Sequence, residues 1–94
     1  MFVVLLRFSD NKDAAGQYLD GHQEWVRRGV EDGVFLLVGS IRPGLGGAVL
    51  AHGTSLAELE ERVDGDPFVA EKVVSAEIVE IAPNMADERL RFLL

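Results

Sequence analysis

"VFLLVGSIRPGLGGAVLAHG", residues 34–53, decides how this chain folds. Two runs rich in Val, Leu and Ala, 34–41 and 47–53, flank "RPGLG", whose Pro and Gly residues supply what a hairpin-like connection needs. The stretch therefore reads as two joined strands. What lies on either side of them sets the topology.

Upstream, residues 14–31 change to helical spacing, with Leu19, His22, Val26 and Val30 on one stripe and Asp20, Glu24, Arg27, Arg28 and Glu31 on the opposite, solvated side. Gly16, Gly21 and Gly29 each cost the helix about 1 kcal/mol relative to Ala, so its stability must come from docking rather than propensity. Gly33 suits the left-handed residue beyond a helix end. Before this helix, residues 2–8 form a short apolar run that reads as a strand buried on both faces.

Downstream, Ser55 and Glu58 make the S-x-x-E capping box of a second helix whose inward residues are Leu56, Leu59 and Val63, with Gly65 at its end. Asp66 and Pro67 open one further helical turn, and residues 73–81 are β-branched and partly alternating, as a half-buried strand requires. The order is β, α, β, β, α, β. It predicts an α+β, ferredoxin-like βαββαβ domain over residues 1–83, a four-stranded antiparallel sheet with both helices on one face. Residues 84–94 read as a C-terminal extension, a short amphipathic helix opened by Asn84, whose Leu90, Phe92, Leu93 and Leu94 need an apolar surface such as a partner subunit.

Ninety-four residues, 48% of them hydrophobic, suffice for one core without metal or disulfide support. The net charge of -7 disfavours nucleic acid and anionic membranes, which need clustered Lys and Arg. With no Cys, disulfides, thiolate metal sites and a Cys nucleophile are excluded. The apolar opening "MFVVLLRF" lacks the basic segment and cleavage pattern of a signal peptide, and no run has the length of a membrane span. A cytoplasmic protein is the expectation. A sheet covered by helices on one side only leaves an apolar face, which predicts association into a homodimer or larger homo-oligomer.

His22 occupies an inward helical position where an apolar residue belongs. The ordinary explanation is a half-buried imidazole satisfied by a backbone carbonyl; the functional one is a base facing a pocket, its tautomer fixed by a carboxylate. Tyr18 and Trp25 flank the same stripe and suit either packing or a ligand pocket, and Ser40 ends the second strand as a turn residue or a hydroxyl aimed at the same space. His52 shares a sheet face with Leu50 and Ala48, but no spacing supports a metal site. The glycines of "GLGG" join two strands and offer no phosphate cradle, and no G-x-S-x-G unit is present.

In order and spacing, the first-helix His22, "GVFLLVGS", "GGAVLAHGTSLAELEE" and above all "DPFV" at 66–69 resemble the YciI-like (YCII-related) family of dimeric α+β domains, across residues 1 to about 83. The resemblance implies a catalytic dyad of His22 and Asp66 and cofactor-free acid-base chemistry, of lyase or isomerase type, on a small cyclic or aromatic molecule contacted by Tyr18, Trp25, Ser40 and Phe68. Asp66 would then cap a helix with one carboxylate oxygen and hold the imidazole with the other. Two departures stand out: Glu71 and Lys72 follow where the family often has a small residue and Gly, and residues beyond Pro83 lie outside the resemblance. A non-catalytic dimeric module that binds a metabolite or a partner is the alternative, and a cofactor-free monooxygenase is a third.

Overall fold

The computed structural model describes all 94 residues. Strands β1 (Phe2–Phe8), β2 (Phe35–Ile41), β3 (Gly46–Ala51) and β4 (Val74–Glu80) alternate with helices α1 (Ala15–Glu31), α2 (Leu56–Asp64) and the short α3 (Pro67–Ala70). The sheet is antiparallel throughout, in the order β2-β3-β1-β4. This is the ferredoxin-like arrangement that the element order predicts.

Cross-strand pairing assigns the two faces. Phe2, Val4 and Leu6 pair with Ala51, Val49 and Gly47 on one side and with Glu80, Ile78 and Ala76 on the other. On this face Phe2, Val4, Leu6, Val49 and Ala51 are buried, joined by Trp25 of α1, Leu59 and Val63 of α2, and Phe68 of α3. Fully burying an aliphatic side chain contributes about 1.5–3 kcal/mol, so Leu59 and Val63 suffice to pin the short α2. Its capping box is complete: Ser55 Oγ accepts from the Glu58 N–H and the Glu58 carboxylate accepts from the Ser55 N–H.

Three details of the helices differ from the sequence expectation. The docked line of α1 runs through Tyr18, His22, Trp25 and Gly29, while Leu19 and Val30 are 42% and 51% exposed. The helix turns this way because Gly29 lets it approach β2 until a Cβ there would sit 2.1 Å from the Phe35 ring. Leu56, the first residue of α2, is likewise exposed, whereas Leu59 and Val63 further along the helix are buried. The C-terminal helix is a 3-10 turn over Glu88–Leu93 capped by the Asp87 carboxylate rather than by Asn84, with Phe92 against His52 and still 59% exposed.

The opposite face of the sheet has no covering layer. Leu37, Leu50, Val3 and Val79 form a continuous apolar row across all four strands, bordered by an Arg7–Glu77 ion pair. Strand β1 is thus buried on one face only within the single chain; Val3 and Leu5 are half-buried. At the β2 edge a bulge between Phe35 and Leu37 shifts the register, pairing Phe35 with Ala51 and Leu37 with Leu50.

Candidate active site

Asp66 is wholly buried at the N-terminus of α3, where it has the extended backbone of a cap and Pro67 occupies the first helical position. Its Oδ1 accepts from the Phe68 N–H at 2.9 Å and lies 2.8 Å from Nδ1 of His22. Asp66 therefore does both jobs that the sequence suggests, but with the same oxygen. Oδ2 is buried and has no hydrogen-bond partner. With Asp66 as a carboxylate, which can only accept, Nδ1 carries the imidazole proton and Nε2 carries the lone pair.

Phe68 fixes the pair from two directions. Its main chain holds Asp66, and its ring stacks on the His22 imidazole with centroids 4.0 Å apart and planes 4° apart. The Trp25 ring lies 5.9 Å from the imidazole, inclined to it by 27°. The His22 side chain keeps 19% of its surface exposed, and what remains open faces a cleft.

That cleft, of about 550 Å³, opens between α1 and the β2-β3 end of the sheet. His22, Phe68 and Ser40 line it together, among apolar walls that include Leu6, Leu19, Val26, Val38 and Val49. Ser40 pairs with Gly47 and Gly47 with Leu6, so its hydroxyl stands on the helix-facing side. Trp25 and Tyr18 are placed elsewhere: the indole N–H donates to the Arg62 carbonyl within the core, and the Tyr18 hydroxyl reaches Glu71 at 3.4 Å. No three His, Asp or Glu side chains are grouped so as to hold a metal ion.

Two polar lining residues were not legible from the sequence, Gln23 and Arg27. Gln23 follows His22 directly, which is the only signal available; Arg27 lies on the side expected to face solvent. Its guanidinium is gripped by Glu24 and Glu31, and these hydrogen bonds, Glu24's the larger, hold it above its ordinary pKa. The same contact with Arg27 keeps the Glu24 carboxyl below its usual value. Lys72, without an evident role in the sequence, is a left-handed residue with φ of 59° that ends α3, and its carbonyl accepts from the Asn11 N–H.

No family model and no curated protein matches the sequence. Among solved structures, the fold is similar to 5-chloro-2-hydroxyhydroquinone dehydrochlorinase (TftG) from Burkholderia phenoliruptrix AC1100 in complex with 2,5-dihydroxybenzoquinone. The TM-score is 0.68 over 86% of this chain and 93% of that one, at 12% identity. At that identity the likeness shows a shared fold.

Proposed function

We propose that this chain is a small-molecule enzyme of the YciI-like kind, in which His22 and Asp66 perform cofactor-free acid-base chemistry of lyase or isomerase type on a cyclic or aromatic compound. The observation that carries this reading is the 2.8 Å contact between His22 Nδ1 and a fully buried Asp66, with the open part of the imidazole on a cleft. Nε2 takes a proton from a C–H or O–H of the bound molecule. The Asp66 carboxylate stabilises the imidazolium that forms. In an isomerisation the proton returns to a different atom. In an elimination the leaving group departs with its bonding electrons and the imidazolium later gives its proton to water.

The structural neighbour, whose name describes loss of HCl from a chlorinated hydroxyhydroquinone, supports testing this class first. Chloride release from 5-chloro-2-hydroxyhydroquinone is the direct assay. Positioned proton transfer is worth about 10²- to 10⁴-fold in rate, so His22→Gln should lose at least the lower figure while remaining folded. Turnover that survives intact in His22→Gln overturns the reading. The uncovered sheet face further supports association of two chains through the Leu37, Leu50, Val3 and Val79 row.

A further inference from the structure

We infer that the His22 cleft selects uncharged rings bearing hydroxyl or carbonyl groups and excludes the same rings bearing a carboxylate or phosphate. The inference rests on the cleft being the substrate site. Its hydrogen-bonding groups other than Arg27, namely His22, Gln23 and Ser40, offer no fixed positive charge to an anion. Arg27 is the one Lys or Arg in the lining, and its charge is already answered. Nε and both terminal nitrogens donate to Glu24 or Glu31, and Arg28 shares Glu24 at 3.4 Å, so two Arg and two Glu form a group of net zero charge. A carboxylate or phosphate entering the cleft would lose water and find in exchange only the two remaining N–H groups of a guanidinium already neutralised by Glu24 and Glu31, against a chain carrying -7 overall.

The floor argues for a flat ligand. Gly47 stands between Ser40 and Leu6 on the cleft side of the sheet. Its backbone does not demand glycine, for it lacks a positive φ, and an added Cβ would meet only the Gly39 carbonyl oxygen, at 3.3 Å. The absent side chain leaves room on the sheet for a ring lying across the strand, with its substituents near the Ser40 hydroxyl and His22.

The test titrates ¹⁵N-labelled full chain with resorcinol, benzoate and phenyl phosphate, following the amide signals of Gln23, Ser40 and Gly47. Resorcinol should move all three, and Gly47→Val should weaken its binding at least tenfold. Benzoate and phenyl phosphate should leave them unmoved at tenfold higher concentration. Freeing the guanidinium with Glu24→Gln and Glu31→Gln together should admit benzoate. If benzoate or phenyl phosphate binds the unaltered chain there as well as resorcinol does, or if the double variant still refuses benzoate, the charge selection is wrong while the cleft stands as a ligand site. If no probe moves these signals, the cleft itself is not the substrate site and the inference falls with it.

Discussion

A Cβ on Gly21 would stand 3.1 Å from Cγ of Pro67, so α1 and α3 meet where one residue carries no side chain, and the residues beside this contact, His22 after Gly21 and Asp66 before Pro67, form the dyad. The position sets the reach of the imidazole to the carboxylate. Gly21→Ala crowds Pro67 by a few tenths of an ångström but gains about 1 kcal/mol of helix propensity, so its stability should stay near that of the parent. Gly21→Leu cannot be absorbed and should push α3 away. Thermal melting and the ring ¹⁵N signals of His22 read the two effects apart: a Leu variant that keeps the Nδ1–H pattern of the parent would contradict this account.

Asp66 joins the cap and the dyad through a single oxygen, and truncating it or replacing it with its amide should therefore have different effects. Asp66→Ala removes the acceptor of both the Phe68 N–H and the His22 Nδ1–H, and should cost about 1–3 kcal/mol in urea denaturation. Asp66→Asn keeps that oxygen and removes only the negative charge. It should retain more stability than Asp66→Ala and the Nδ1–H tautomer, yet lose turnover wherever an imidazolium must form. Equal stability of Asp66→Ala and the parent would show that neither bond matters to the fold.

The capping box makes a pH-dependent contribution. Hydrogen bonds with Ser55, the backbone one first, lower the Glu58 carboxyl from its ordinary value of 4.5. Below 4.5 the unfolded chain binds this proton before the folded chain does. Stability from Glu58 is thus complete above that value and is lost as pH falls through the lower folded value. Glu58→Gln can still reach the Ser55 N–H but has no charge to titrate. The gap between parent and variant in urea midpoint should therefore narrow steadily from pH 5 to about pH 3. A gap unchanged over that range would remove Glu58 from the acid response.

The bare sheet face offers a test of assembly. Leu37 is 57% exposed at the β2 end of the apolar row, and Leu37→Asp places a charge there without touching the core on the other face. Light scattering after size-exclusion chromatography should give twice the chain mass for the parent and the single mass for the variant. A monomeric parent would end the proposal of a dimer.

The α+β fold was legible because periodicity changes sharply along this chain. Ser55 and Glu58, Gly33, and the Asp66-Pro67 pair mark boundaries by local chemistry, and local chemistry survives in the folded state. The rotation of α1 was not legible. It depends on Gly29 meeting Phe35, a contact between elements that hydrophobic spacing within one helix cannot encode. The His22–Asp66 contact was suggested by an anomalous inward histidine and a family resemblance, whereas the sharing of one oxygen depends on side-chain geometry. Arg27 was missed for the same kind of reason: its spacing places it on a solvated face, and that the cleft extends to this side of α1 is a property of the packed elements rather than of the helix.

The extra residue in β2 has a consequence for chemistry. A regular strand starting with Phe35 facing the helices would send residues 37, 39 and 41 the same way, and Ser40 to the bare side. The bulge at Leu36 inverts that parity, so Val38 comes to oppose Val49 and Ser40 to oppose Gly47. Kept in the chain but paired regularly, Leu36 would send the cleft's hydroxyl to the opposite side of the sheet; removed altogether, it would leave a plain strand with Ser40 still opposite Gly47.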